Sequence, residues 1–382
     1  MNHRRPSLAP WLLALGLLLA GLWPAHAHAQ GVDRTAPALN QELAVVAGAI
    51  KQLLEGRNLD AIAVGEFTGP ARAVASGGAG IKHTLIDELK RAGVRVDRRA
   101  ELEAKGDFRD VEVRSTKKVV LRLLVQVFDR AGTEITKIER GVYDVATMAG
   151  ALGLSLQIAP DADPATRESQ LRQGIDQPRF HLDGDRVKAA ADSPFAVEVL
   201  VKEGNTYRPR PARIEDGLAF VPIRRGEVYA IKLINEASHE AAVKLTIDGL
   251  SLFAFSTIQD PKSHRPKYSH VVVPARGEGT VVGWHIKDRG DDSTDSFLIT
   301  EFAKGAAAEL KVAGEIGTIT AVFSAAWPKG TPPPADEPEM SGLQDGRTAD
   351  ATARGPKLGV TYTPVERDVG KVRATISIRY TR

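Results

Sequence analysis

Apolar residues in the first half of the chain recur at helical spacing in three segments and at strand spacing between them. In the first segment the apolar positions lie three or four residues apart: Leu39, Leu43, Val46, Ile50 and Leu53. This spacing predicts an amphipathic helix over residues 37–55, with Gly56 as its stop. Further helices are predicted over residues 81–93 and 144–152, and strands over residues 61–64, 94–96, 119–128 and 134–138. The order predicts an α/β sandwich-type domain over residues 31–158.

Short apolar segments separated by turn residues follow in the second half. They lie at residues 196–201, 218–223, 228–234, 241–247, 270–273, 280–284, 296–300, 318–323 and 374–380. Regularly spaced short strands predict a mostly antiparallel β-sandwich over residues 194–382. Residues 159–193 are polar and read as a linker, and the proline-rich residues 330–358 read as a disordered insertion. The chain as a whole is predicted to be α+β.

The N-terminal residues have the pattern of a secretory signal peptide. Arg4 and Arg5 precede an apolar stretch over residues 11–23, and Ala27-His28-Ala29 is a small-x-small cleavage site. We therefore expect cleavage after Ala29 and a periplasmic or extracellular location. The sequence contains no cysteine, so we expect no lipid anchor and no disulfide. No second long apolar segment follows, so we do not expect the mature chain to span a membrane.

Composition and charge narrow the function classes. The chain has 382 residues with a formal net charge of +3, and aromatic residues make up 5% of them. Nucleic-acid binders concentrate basic charge, so we expect no nucleic-acid partner. So few aromatic residues also disfavour a binding surface built on stacking.

Two short segments are candidates for a contact surface. The first is a glycine-rich turn before the second helix, with Ser76, Gly77, Gly78 and Gly80. It lacks the GxxxxGK[ST] and GxGxxG patterns of nucleotide-binding loops, so we interpret its glycines as turn and capping residues, with affinity for an anion at the helix start left open. The second is residues 105–107, Lys105, Gly106 and Asp107, which we interpret as an exposed turn at the end of a strand.

Candidate catalytic groups are scattered along the sandwich sequence. They are the carboxylates of Asp183, Asp185, Asp291, Asp292 and Asp295, and the imidazoles of His270 and His285 on strands expected to be neighbours. No HExxH, EF-hand or GxSxG pattern is present, and cysteine nucleophiles are absent. We therefore predict no catalytic residue, metal or cofactor. The competing hypothesis, a hydrolase, requires these carboxylates and a histidine to converge in one place.

The order of elements in the first half resembles the periplasmic α/β domain of the curli-secretion and penicillin-binding-protein-activator lipoproteins. The residues that carry the resemblance are 62–67, 81–93, 94–108 and 121–135. The second half resembles a β-rich module of bacterial envelope proteins, through residues 226–255, 268–284 and 296–310, and the pair behind a signal peptide resembles a planctomycete-type architecture. The resemblance implies a binding or scaffolding domain.

These observations together predict a non-enzymatic exported protein of the cell envelope. We expect it to bind or scaffold an envelope protein or polymer. Two alternatives remain open at this point: a secreted hydrolase that uses sandwich carboxylates, and a subunit of a secretion-related homo-oligomer, which the resemblance suggests.

Overall fold

The computed structural model describes residues 39–70, 76–113, 118–143, 145–215, 217–299, 317–337, 344–348 and 356–380. The predicted signal segment lies outside these residues. Within them the structure confirms the α+β class, with a sheet and helices in the first half and mostly antiparallel sheets in the second.

The first half begins with helices on one face of a five-stranded sheet. Its elements are α1 (Leu39–Glu55), β1 (Ala61–Thr68), α2 (Ser76–Arg91), β2 (Arg95–Val96), β3 (Leu102–Val113), β4 (Lys118–Asp129), β5 (Glu134–Val142), α3 (Val145–Leu152), β6 (Leu156–Gln157) and α4 (Pro164–Asp176). The strands follow the order β2-β1-β3-β4-β5. β1 runs parallel to both of its neighbours, and the other pairs are antiparallel.

The apolar stripe of α1 explains why one face of this sheet is covered. Leu43, Val46 and Ile50 are buried, and they form one core with Leu85 of α2 and Leu123 of β4. Alternate residues of a strand point to opposite faces, so the positions in between face away from the helices. The sheet is therefore packed on its helical face, while its second face carries most of the polar residues.

A fourth helix lies in the polar segment that was predicted as a linker. α4 begins after Asp163, whose carboxylate accepts hydrogen bonds from the N–H groups of Ala165 and Thr166, with Pro164 in the first helical position. Leu171 of α4 is buried in the core of the first half.

The second half is a sandwich of two sheets. Its strands are β7 (His181–Asp183), β8 (Arg186–Lys188), β9 (Phe195–Glu203), β10 (Thr206–Pro209), β11 (Arg213–Glu215), β12 (Leu218–Val221), β13 (Val228–Asn235), β14 (Glu240–Ile247), β15 (Leu250–Ser251), β16 (Val271–Val273), β17 (Gly277–Val281), β18 (Gly283–His285), β19 (Thr294–Leu298), β20 (Thr318–Pro328), β21 (Gln344–Thr348), β22 (Lys357–Leu358) and β23 (Val365–Tyr380). One sheet has the central order β18-β19-β13-β9-β8-β7 and the other β11-β12-β23-β20-β14-β15. Aromatic rings from the two sheets pack against each other. For example, Phe195 of β9 stacks on Phe323 of β20, with 5.0 Å between the ring centroids.

Residues 330–358, predicted as a disordered insertion, contain strands and a buried ion pair in their described part. β21 pairs with β23, and β22 pairs with β19. Arg373 of β23 is buried and donates to Asp336 at 2.8 Å and to Glu337 at 2.6 Å. This buried charge pair holds residues 336–337 on the sheet.

The two halves are joined by a strand as well as by side chains. β6 pairs antiparallel with β23, so the first half contributes a strand to a sandwich sheet. The hydroxyls of Thr375 and Ser377 donate to the carbonyl of Leu154 at 2.8 and 3.1 Å, and Ser155 accepts from the N–H of Ser377. In the described part of the chain, none of the helices combines the length and apolar character that crossing a membrane requires.

Candidate functional site

The glycine-rich segment predicted as a turn before the second helix instead forms the beginning of α2, and Gly77, Gly78 and Gly80 are buried there. Ser76 is the first residue of α2. A Cβ atom on Gly77 would lie 2.4 Å from the carbonyl oxygen of Ala151, and one on Gly78 would lie 2.1 Å from that of Phe67. These glycines allow α2 to begin in close contact with α3 and β1.

Gly80, which has no side chain, allows α2 to lie in close contact with the sandwich. A Cβ atom there would lie 2.3 Å from the carbonyl oxygen of Gly249, in the turn between β14 and β15. Asp248 and Gly249 have φ values of 52° and 74°, as a two-residue hairpin turn requires. Asp248 accepts hydrogen bonds from the Tyr380 hydroxyl at 2.6 Å and the Gly317 N–H at 2.8 Å, which fix the turn. The buried glycines thus serve internal packing, and an exposed contact surface must be formed by other residues.

The predicted turn at residues 105–107 is wrong, because β3 continues through Lys105, Gly106 and Asp107 to Val113. Gly106 is required by its neighbour strand, since a Cβ atom there would lie 1.8 Å from the carbonyl oxygen of Leu124. Lys105 and Asp107, on either side of it, both point to the face of the sheet away from the helices.

That face carries four rows of side chains across β3, β4 and β5. The strand register places these residues side by side: Glu103, Phe128 and Glu134 in the first row, Lys105, Gln126 and Lys137 in the second, Asp107, Leu124 and Glu139 in the third, and Arg109, Arg122 and Gly141 in the fourth. The rows are acidic, basic, acidic and basic in turn. We call these residues the charged face.

Ion pairs connect neighbouring rows of the charged face. Arg109 lies 2.9 Å from Asp107, and Arg122 lies 2.6 Å from Glu139. The Arg122 hydrogen bond lowers the pKa of Glu139. The side chains remain accessible, with Arg109 53% exposed and Glu139 55% exposed. Exposed pairs contribute about 0 to 1 kcal/mol each, so this charge pattern adds little to folding stability and is available for contacts.

A second polar cluster lies inside the sandwich around His285, which is fully buried. Its Nε2 lies 3.0 Å from Asp288 Oδ1, and its Nδ1 lies 2.9 Å from Ser256 Oγ. Because a carboxylate only accepts, the Nε2 proton points to Asp288 and Nδ1 accepts the serine hydroxyl. The Tyr268 hydroxyl donates to Asp288 at 2.9 Å. The pKa of Tyr268 is raised to about 12, mainly by burial and to a smaller extent by the hydrogen bond to Asp288.

The His285 cluster has the residue types of a serine hydrolase but not its arrangement. In those enzymes the serine bonds to Nε2 and the aspartate to Nδ1, whereas here the two nitrogens are exchanged. Ser256 is 5% exposed, and its oxygen also accepts the N–H of Ile258 at 3.2 Å. The rings of Phe253 and Tyr362 pack against the imidazole at 5.7 and 5.1 Å. The cluster therefore ties together loops at this end of the sandwich.

The buried imidazole makes a pH-dependent contribution to stability. Burial lowers the pKa of His285 below its ordinary value of 6.5, although Asp288 opposes the shift. The unfolded chain gains a proton below about pH 6.5 that the folded chain does not, so the free energy of unfolding should fall as the pH drops below that value. We expect this fall, measured by urea unfolding between about pH 8 and about pH 5, to be smaller in a His285→Gln variant.

The difference between the wild type and His285→Gln in how steeply the free energy of unfolding falls as the pH drops gives the contribution of His285 alone. Burial lowers the pKa of His83 as well, and its contribution of the same sign is present in both proteins. Equal slopes in the wild type and the variant would contradict the assignment.

The remaining candidate catalytic groups are spread over both sheets of the sandwich. Asp183 lies on β7 and Asp295 on β19, which are separated in their sheet by β8, β9 and β13, or about 19 Å at the usual strand spacing. His270 precedes β16, which pairs with β14, while His285 ends β18 in the other sheet. Within the described residues, no three His, Asp or Glu side chains are grouped as metal ligands. The prediction that the protein needs no metal or cofactor stays a prediction.

Neither the His285 cluster nor the full charged face was predicted from the sequence, and the reasons differ. Ser256 and His285 are 29 residues apart, so no local spacing connects them. The charged face did leave a local signal, since Glu103, Lys105, Asp107 and Arg109 alternate in sign at every second position of β3. Period-two alternation of charge is the pattern of a strand with one polar face.

Similarity to known proteins gives no information on the role of the charged face or of the His285 cluster. No family model matches the chain, and no match is found among curated proteins or solved structures.

Proposed function

We propose that this protein is a non-enzymatic, exported component of the cell envelope that binds a partner through the charged face. The observation that carries the proposal is the row pattern, in which the two charged residues of each row have the same sign and the sign changes from row to row. Proteins recognise partners through such patterns, because a complementary arrangement is attracted and a mismatched one is repelled.

The scaffold behind the charged face supports a binding role. Leu123 and Val125, which alternate with the face residues of β4, are fully buried against the helices. A packed core holds the three strands in one register, so the positions of the charges are fixed before a partner arrives. Preorganisation of this kind reduces the entropy cost of binding.

The cell-envelope location stays an expectation from the N-terminal sequence, and it decides which partners are considered. An envelope protein or a charged envelope polymer is the class of partner that an exported protein meets. The alternating signs favour a protein, since a uniformly charged polymer would be repelled by every second row.

Site-specific photocrosslinking in cells tests this proposal. A benzoylphenylalanine at Arg109, in the fourth row, should give one dominant adduct. The same residue at Arg208, which is 70% exposed on β10 of the sandwich, serves as the matched control. Mass spectrometry of the purified adduct identifies the partner. Adducts of equal yield at both positions, or none at Arg109, would remove the basis for the proposal.

The hydrolase alternative is supported by one observation, the chain of hydrogen bonds from Ser256 through His285 to Asp288. A fluorophosphonate probe reacts with activated serine hydroxyls. We expect it to leave the purified protein unmodified, because the Ser256 oxygen is buried. Labelling that disappears in a Ser256→Ala variant would show a reactive serine and overturn the non-enzymatic part of the proposal.

A further inference from the structure

The row pattern of the charged face is complementary to itself. Along the strands the rows read acidic, basic, acidic and basic, and adjacent rows are about 7 Å apart. Consider a two-fold axis in the plane of the interface that runs parallel to the rows, midway between the second and the third row. Rotation about this axis generates a second copy in which the order of the rows is reversed. Each acidic row then lies opposite a basic row.

The match holds residue by residue on β3. Under this axis Lys105 faces Asp107 of the second copy, and Glu103 faces Arg109 of the second copy. Both contacts occur twice, because a two-fold interface uses the same patch on both subunits. β3 of the two copies would run antiparallel across the interface.

The other two strands follow the same rule. On β5, Lys137 of the second row faces Glu139 of the third. On β4, the ring of Phe128 in the first row faces the guanidinium of Arg122 in the fourth, a cation–π arrangement. No position places two like charges opposite each other.

We propose that the charged face binds the same face of a second copy of this chain and forms a two-fold dimer. This inference rests on the proposed function, because it names the partner of the same surface. The pattern favours a second copy over an unrelated protein, since one sequence of alternating signs satisfies both sides of the interface at once.

The size of the face sets the expected strength of the dimer. Four rows across three strands span about 20 Å by about 10 Å between side-chain origins, less than the roughly 800 Å² per partner of a standard interface. The dimer should therefore be weak, with exchange between monomer and dimer at micromolar concentrations. Exposed charges are screened by salt, so association should weaken from about 50 mM to about 500 mM NaCl.

Sedimentation equilibrium of the purified mature protein, without the predicted signal segment, at low salt tests the proposal with charge reversals. Lys105→Glu and Asp107→Lys each place like charges across the axis twice, and each variant alone should associate at least about tenfold more weakly than the wild type. An equimolar mixture of the two variants places opposite charges across the axis again. The mixture should therefore recover heterodimers with an affinity within about threefold of the wild type.

Two controls separate this result from a folding defect. Arg208→Glu makes the same kind of charge reversal outside the charged face and should leave association unchanged. Circular dichroism should be the same for all variants, because Lys105 is 46% exposed and the ion pair of Asp107 is with Arg109, whose side chain is 53% exposed. Recovery in the mixture is itself evidence that both single variants are folded.

Several outcomes would overturn the dimer. A wild type that stays monomeric at several hundred micromolar, a dimer insensitive to both reversals, or a mixture that fails to recover would each exclude it. The photocrosslinking result at Arg109 distinguishes the two proposals. An adduct with a different envelope component and none with a second copy would overturn the dimer and leave the proposed function standing.

Discussion

An Arg373→Met variant is expected to lose about 3 to 5 kcal/mol of folding free energy. Arg373 is 3% exposed, and its main partner, the carboxylate of Glu337, is also buried. Removal of the guanidinium leaves that carboxylate, among the described residues, with the hydrogen bond from the N–H of Lys371 at 2.8 Å. A buried charge that loses its partner retains its desolvation cost, which is why the expected loss is large. Urea unfolding of both proteins measures it.

A double variant and an exposed pair provide the controls. Arg373→Met combined with Glu337→Gln removes both charges, so the double variant should be more stable than Arg373→Met alone. Arg208→Met breaks an ion pair with Glu203 in which both side chains are more than half exposed. This substitution should change the free energy of unfolding by no more than about 0.5 kcal/mol. A loss of that small size in Arg373→Met would show that residues 336–337 are not held by the ion pair.

Replacement of Gly80 by alanine is expected to destabilise the protein by about 2 to 3 kcal/mol. The added methyl group would lie 2.3 Å from the carbonyl oxygen of Gly249, and the atom it meets is backbone, which cannot rotate away. Helix propensity alone would favour alanine by about 1 kcal/mol. The predicted sign therefore depends on the contact between α2 and the hairpin turn, and thermal or urea unfolding determines it.

Gly48 offers the opposite case in the same protein. It lies inside α1 with no atom within 4 Å of an added Cβ. Gly48→Ala should stabilise the protein by about 0.5 to 1 kcal/mol, because only the gain in helix propensity remains. If both substitutions stabilise the protein, α2 does not pack against the turn as described.

The elements with strong apolar periodicity were predictable from sequence. α1 is a clear case, since Leu43, Val46 and Ile50 form one stripe and the helix ends at Glu55 as the following glycine indicates. The nine strands predicted for the sandwich each overlap an observed strand, whereas short strands such as β7, β8 and β10 have no counterpart in the prediction. Local pattern and tertiary burial agree in the predicted segments, which is why sequence alone identifies them.

Two elements of the first half, β3 and α4, differ from the prediction although each has a local signal in the sequence. The sequence predicts that the strand ends in a turn at residues 105–107, because glycine is typical of turns. The structure instead uses Gly106 for the close approach of β4. The polar composition of residues 159–193 predicts a linker, yet Asp163 and Pro164 together form the start of α4. In both cases a tertiary contact or a cap decided the structure where apolar periodicity was weak.

The candidate site was predictable only in part. The sequence predicts Lys105 and Asp107 as contact residues, and both lie on the charged face. The row pattern, however, depends on the register between three strands, which a single strand does not encode. The His285 cluster depends on loops that the sandwich brings together. Such arrangements follow from topology and become visible only with the strand order in hand.

The pairing of β6 with β23 has a consequence for how the chain folds. Ser377 bonds to Ser155 across a separation of 222 residues, and β23 also pairs with β12, β20 and β21. The loop-closure entropy for such distant contacts is lost before they form, so rates fall as contacts become less local. A chain that leaves a ribosome or an export channel from its N-terminus would complete this sheet only after β23 emerges. Until then the edges of β6 and β20 that pair with β23 stay exposed, and exposed strand edges are sites of mispairing.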